Sequence, residues 1–210
     1  MTEKKKPETI RIGQLGYVEI HDYMGSDTKI ADIARISTGS TVDDYTKDHR
    51  NQMLINKLIN FRHETPFEFG VITFKIKAPI FVARHFFRHR IGSFMEMSAR
   101  RRIATEFEFS EELNCKSVNE AVDTIIRAYT ILLNADVPKE KAREILPMAT
   151  MTEFYWCVNL RCLFNFIMLR DSKHAQEETR EFAKAVKSLT TQIFPTSMIA
   201  FEDEYLEELK

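Results

Sequence analysis

Cysteine is scarce. Cys115, Cys157 and Cys162 are the only three, and none stands in Cys-x-x-Cys spacing. An odd, scattered set argues against a disulfide framework or a zinc ribbon, and a reducing cytoplasm is the simplest setting. No long hydrophobic run occurs. The most apolar stretch, Phe154 to Leu169, is interrupted by Asn159, Arg161 and Asn165, too short and too polar for a membrane span. The charged N-terminus, Met1 to Pro7, leads into no apolar segment of the kind a signal peptide needs. Neither sign of charge prevails: 30 basic and 31 acidic residues leave a net charge of -1, which argues against a bulk electrostatic nucleic-acid binder. Glycine and proline number 6 each, with no Gly/Ser linker, repeat or low-complexity tract to mark a boundary. What is present is an ordinary globular mixture, 44% hydrophobic and 29% charged. The 210 residues fit one domain, 1–210, able to bury its own core.

The periodicities predict an α+β fold, with a mainly antiparallel sheet packed by helices and a helical C-terminal half. Ile10 to Tyr23 reads as extended, with Val18 and Ile20 on one face and Tyr17 and Glu19 on the other. Asp27 is placed to cap a short helix carrying Ile30, Ile33 and Ala34, and a second helix is expected from Asp48 to Phe61. Thr65 precedes Pro66 and so favours an extended conformation. Val71 to Ala78 alternates as a strand, and Pro79 suits the first turn of a helix reaching Arg90. Phe94 to Arg102 reads as a polar connection, followed by a short extended piece near Phe107 and Phe109. Ser117 and Glu120 have capping-box spacing ahead of a helix through Val122, Ile125 and Leu132. Pro138 opens a shorter helix, Thr152 to Leu169 reads as one buried helix, and further helices follow Ser172 and Pro195.

Three segments carry chemistry. In Arg84-His85-Phe86-Phe87-Arg88-His89-Arg90, like-charged pairs stand four apart, which a helix tolerates when an anion lies between them. The arginine fork suits phosphate. A solvated basic face is the alternative, and a His-x-x-x-His metal pair another. The second lacks the zincin glutamate, since Phe86 follows His85, and flanking arginines repel a cation. Downstream stand Glu96, Ser98, Arg100, Arg101 and Arg102. On the expected buried helix, Arg161 and Asn165 share one face and Asn159 and Arg170 another. Two polar stripes imply either two polar ligands or structural partners. His63 to Glu68, Arg143 and Ser37 are unremarkable singly, and Cys157 and Cys162 read as small core residues. These residues support a binder of a phosphorylated, planar ligand without naming a reaction.

Together the segments resemble the flavin-dependent thymidylate synthases. The family pattern Arg-His-Arg followed after seven residues by serine stands here as Arg88-His89-Arg90 through Ser98. Its flanks are matched by His63-Glu64-Thr65-Pro66-Phe67-Glu68, by Lys77 to Arg84, by Ala142 to Pro147, and by Arg170 with His174-Ala175-Gln176. The resemblance implies reductive methylation of dUMP to dTMP. FAD, reduced by NADPH, would be the hydride source and 5,10-methylenetetrahydrofolate the carbon donor, without a cysteine nucleophile. It implies a dUMP site at Ser37, His85, Phe86, Phe87, Arg88, Glu96, Met97, Ser98, Ala99, Arg100, Arg143 and Arg170, with Arg170 activating the uracil. It implies flavin or folate contacts at His63, Thr65, Arg88, His89, Arg90, Glu96, Asn159, Leu160, Arg161 and Asn165. It further implies a cytoplasmic homotetramer with sites shared between subunits, and no metal, nucleic-acid or membrane partner. The chain departs from the pattern at Met95, Phe69, His85 and Met168, which bears on fine contacts and substrate preference. An enzyme of the same fold acting on another pyrimidine nucleotide and a non-catalytic nucleotide or RNA binder are the rivals.

Overall fold

The computed structural model describes residues 9–39, 47–102, 106–110, 113 and 115–206. The charged N-terminal stretch considered above lies outside them. Strands β1 (Thr9–Ile12) and β2 (Gly16–Met24) form a hairpin. Helices α1 (Asp27–Arg35) and α2 (Lys47–Asn60) lead through a 3-10 turn, Thr65–Phe69, into β3 (Val71–Pro79) and α3 (Ile80–Phe86). Then come β4 (Ser93–Glu96), α4 (Lys116–Asn134), the one-turn α5 (Lys139–Ala142) with a 3-10 extension at Arg143–Ile145, and β5 (Met151–Asn159). Helices α6 (Leu160–Arg170), α7 (Glu177–Ile193) and α8 (Pro195–Phe201) follow, and a π-helical turn, Glu202–Leu206, ends the described chain. The five strands form one antiparallel sheet in the order β1-β2-β3-β5-β4. No helix among the described residues is long and apolar enough to cross a membrane.

The α+β expectation holds, with its strands redistributed. The segment expected as one buried helix, Thr152 to Leu169, is half strand. Thr152, Phe154, Trp156 and Val158 are buried while Glu153, Tyr155, Cys157 and Asn159 are partly exposed. That period of two belongs to a sheet with one covered face. β5 pairs with β3 over nine residues, from Val71 opposite Asn159 to Pro79 opposite Met151. The C-terminal half is therefore not purely helical. Phe94 to Arg102, expected as a connection, begins with the edge strand β4, whose Phe94 pairs with Trp156. Its residues are mostly exposed, so no amphipathic alternation announced it.

The helix expected to run from Pro79 to Arg90 stops at Phe86. Arg88, His89 and Arg90 lie beyond it, so the supposed facing of His85 with His89 and of Arg84 with Arg88 does not occur on one helix. Two expected caps and one expected conformation are also revised. Ser26, not Asp27, caps α1 by accepting from the Lys29 amide. Asp27 instead accepts from the Thr196 and Ser197 amides (2.8 and 3.1 Å) and the Ser197 hydroxyl (2.5 Å), satisfying the free donors of α8 across the fold. Helix α4 starts after Cys115, with no side-chain cap at Ser117. Thr65 opens the 3-10 turn rather than an extended segment.

The buried face of the sheet packs on α6, α7 and α8 through Phe74, Phe154, Trp156, Phe166, Val186, Leu189 and Phe201. Aromatic edges and faces alternate there. Phe86 lies 4.6 Å from Phe166 and 5.4 Å from Trp156 between ring centroids, the offset contacts that aromatic quadrupoles favour. Asn159, Arg161 and Arg170 stand at the edge of this block, at the end of β5 and along α6.

Candidate functional site

Three groups of the expected residues are brought together in different places. The first surrounds a cavity of about 560 Å³ between α1, the end of α2, the 3-10 turn and the start of α6. Ile33, Ile36, Leu58, Pro66 and Phe69 supply apolar walls, and Ser37, His63, Thr65 and Arg161 are polar members of the lining. Asn159 ends β5 and caps α6, its side-chain oxygen accepting from the Cys162 amide at 2.9 Å. That cap orients the first turn of α6, where Arg161 donates to Glu64 (3.1 Å) and Glu68 (2.5 Å). Arg161 is thereby held by two carboxylates, the structural role left open from sequence, while Asn165 stays exposed one turn on. Asn159 sits on strand and cap rather than on a helical stripe with Arg170. Apolar walls with a polar edge fit a planar heterocycle carrying hydrogen-bonding groups.

The second group lies where the loop after α3 meets the end of α6. The Arg170 Nε donates to His89 Nε2 at 3.2 Å, and the His89 ring rests edge-on against Phe166 at 5.0 Å. Burial, reinforced by the neighbouring Arg170 charge, lowers the His89 pKa to about 4, so the imidazole is neutral near pH 7 and its Nε2 can accept. Burial and the charge of Arg88 lower the Arg170 pKa. Among the described residues no carboxylate stands within 4 Å of Arg88 or Arg170. Two guanidiniums that disturb one another without a carboxylate partner are chemically suited to an anion. His85 is hydrogen-bonded to Gln176 at 3.2 Å, linking α3 to the segment ahead of α7.

The third group follows β4. Glu96 accepts from the Thr152 hydroxyl at 2.7 Å, and the Met97 amide donates to the Glu153 carbonyl at 2.8 Å. Arg100 is paired with Glu140 (2.8 Å) and so reaches α5, next to Arg143, which is exposed. Phe86 is core and Phe87 packs on Phe94 and Phe154 (5.0 and 5.1 Å), so these two expected nucleotide contacts are packing residues in this chain. Ser98, Arg90 and Met95 face outward, Met95 at 73% exposure. The cavities of about 630, 420 and 560 Å³ are lined by none of Arg88, Arg170, Glu96 and Arg143. Gly92 holds the loop between the second and third groups tight: a Cβ there would stand 2.9 Å from the Trp156 Nε1 and 3.1 Å from the Cys157 carbonyl. Burial raises the Cys162 pKa, keeping that thiol protonated. Sequence reasoning passed over Arg62 and Tyr205, which meet at the rim of the 560 Å³ cavity. Neither stands in a motif, and only the fold joins them.

The arrangement of sheet and helices is that of the nucleotide methylases. It superposes on the crystal structure of a UMP/dUMP methylase, PolB from Streptomyces cacaoi bound with 5-Br dUMP, with a TM-score of 0.80 and 28% identity, covering 90% of this chain and 96% of that one. The same methylase bound with 5-Br UMP gives a TM-score of 0.77 and 29% identity, covering 90% and 95%. The family described as Thymidylate synthase complementing protein matches residues 19–196. The chain is 40% identical over 208 residues to the flavin-dependent thymidylate synthase of Pseudothermotoga lettingae (92% of this chain, 93% of the relative). It is 39% identical over 198 residues to that of Thermotoga neapolitana (89% and 90%). The chain belongs to the flavin-dependent thymidylate synthase family. It is accordingly an enzyme, of the methyltransferase class.

Proposed function

We propose that the chain, as one domain, methylates dUMP to dTMP. The observation that carries this reading is the Arg88–Arg170 pair, two guanidiniums close enough to disturb one another and free of carboxylate partners among the described residues. A nucleotide anion would relieve that repulsion. Arg170 is the group that stabilises negative charge developing on the uracil ring, and neutral His89 fixes its orientation by accepting from Nε. Ser37, His85, Arg88, the run Glu96 to Arg100 and Arg143 form the remaining nucleotide contacts. Phe86 and Phe87 support them from the core.

FAD is held by the apolar cavity, with His63, Thr65 and Arg161 at its polar edge and Arg88, His89, Arg90, Glu96, Asn159, Leu160 and Asn165 from neighbouring segments. When bound, reduced by NADPH, it supplies the hydride, and 5,10-methylenetetrahydrofolate supplies the carbon. The chain's own part is placement, charge and exclusion of water. No cysteine acts as nucleophile. The motif contains none, and Cys162 is kept protonated by burial. The three groups do not close around one cavity, which supports an assembly of identical subunits that completes each site, the homotetramer with Arg143 serving a neighbour. No membrane or nucleic-acid partner and a cytoplasmic location belong to this reading.

The test is the visible spectrum of purified protein after loading with FAD and removal of free cofactor, followed by thymidylate formation from dUMP, NADPH and methylenetetrahydrofolate. Retained flavin that bleaches with NADPH, with thymidylate formed, is expected. A protein that retains no flavin and makes no thymidylate sinks the reading. If that protein binds RNA with steep salt dependence, the binder replaces it. The likeness to a UMP/dUMP methylase favours one second reading, in which UMP is methylated as well. Competition between UMP and dUMP measures it.

A further inference from the structure

Helix α2 ends in an arrangement usually built with glycine. The His63 amide donates to the Leu58 carbonyl (2.8 Å) and the Arg62 amide to the Ile59 carbonyl (3.0 Å). These are the two bonds of a Schellman motif. The motif puts the residue between them in the left-handed region, and Arg62 is there at φ 56. Only Arg62 and Asp136 among the described non-glycine residues have positive φ. Glycine would adopt this conformation without a Cβ penalty, so the position uses the arginine for its side chain rather than its backbone.

That side chain lines the 560 Å³ cavity beside His63, Thr65 and Arg161. The Arg161 guanidinium is occupied by Glu64 and Glu68. Arg62 forms no ion pair within 4 Å among the described residues, and its Cζ lies 5.3 Å from the centroid of the Tyr205 ring. Tyr205 is itself held, its hydroxyl donating to the Ile59 carbonyl at 3.4 Å and its ring 5.5 Å from Phe201. The aromatic face supports the cation from one side without neutralising it. The left-handed backbone and the tyrosine together hold an available guanidinium at the rim of an apolar cavity.

We infer that Arg62 is a specificity-determining cation that takes an oxyanion carried by the ligand of this cavity. The inference rests on the proposed function, which supplies two ligands with such oxygens: the folate through its glutamate carboxylates and the flavin dinucleotide through its pyrophosphate. The test is Arg62→Gly, which suits the left-handed backbone. Thermal melting is measured for the variant, with binding titrations of FAD, tetrahydrofolate, tetrahydropteroate (which lacks the glutamate) and dUMP, and the KM for methylenetetrahydrofolate. The melting temperature is expected unchanged or raised by about 2–4 °C. One anionic ligand is expected to weaken about three- to ten-fold.

Weaker tetrahydrofolate binding and a raised folate KM, with tetrahydropteroate and FAD unaffected, assign the carboxylate. Weaker FAD binding alone assigns the pyrophosphate. Unchanged binding of both overturns the inference. A lowered melting temperature with every ligand weakened alike, dUMP included, also overturns it and makes Arg62 structural. A wild-type protein that binds neither flavin nor folate fails the functional reading itself, and the inference falls with it. That outcome is separate from a wild type that binds both while Arg62→Gly matches it.

Discussion

Stability below neutral pH should depend on His89 in a way that His89→Gln removes. The unfolded imidazole has its ordinary value of 6.5 and the folded one about 4. Above pH 6.5 both states are neutral there and the residue contributes no pH dependence. Between 6.5 and 4 the unfolded chain binds a proton that the folded chain refuses, so stability falls as pH falls, and the loss is complete below 4. For a fully enclosed imidazole, going from pH 7.5 to 5.0 would cost about 2 kcal/mol by that linkage. The ring is only partly buried, and solvent screening reduces the figure to about 1 kcal/mol. Over a chain of this size that is about 2–4 °C in melting temperature.

Glutamine can still accept from the Arg170 Nε but carries no titrating proton. The assay is thermal or urea unfolding of both proteins at pH 7.5 and 5.0, without ligand and at one protein concentration, because ligands and assembly shift apparent stability. Other histidines and the carboxylates contribute to both slopes and cancel in the difference. The wild type is expected to lose about 1 kcal/mol more than His89→Gln over this interval. Parallel slopes would refute the burial argument for His89, and with it the account of how Arg170 is oriented at neutral pH.

Three further outcomes follow from the same structure. Arg170→Ala should fold and retain flavin while thymidylate formation falls by at least about two orders of magnitude, the loss typical of a donor aimed at developing charge. Near-normal turnover would end its assigned role. Asp27→Ala removes the carboxylate that accepts from Thr196, Ser197 and the Ser197 hydroxyl. It should cost about 2–3 kcal/mol in urea unfolding. If Asp27 were instead the α1 cap, Asp27→Ala would cost only about 1 kcal/mol, the usual value of a cap, and Ser26→Ala, which removes the acceptor of the Lys29 amide, would cost nothing. Gly92→Ala presses a methyl against the Trp156 indole and the Cys157 carbonyl. It should destabilise by about 1–3 kcal/mol and shift the emission of the chain's single tryptophan. Unchanged emission and stability would mean the loop yields freely.

The sequence by itself determined the parts whose signal is local. Val18 and Ile20 alternate with Tyr17 and Glu19, Val71 to Ala78 alternates throughout, and α2 and α7 repeat at helical spacing. The Arg-His-Arg run with Ser98 and the segments around it were readable because residue type and spacing are local features of the chain. The tertiary structure decided what depends on distant partners. Thr152 to Asn159 is apolar enough for a helix, and only pairing with β3 on one side and β4 on the other makes it a central strand. Asp27 reads as an N-cap until α8 arrives, 170 residues later, with unsatisfied amides closer at hand. His89 is neutral because folding packs it against Phe166 beside Arg170. Arg62 acquires its meaning from a left-handed backbone and from Tyr205, residues far apart in the chain that meet only once the core has closed. Periodicity and residue chemistry are written along the chain. Pairing, desolvation and backbone strain are properties of neighbours that only the fold supplies.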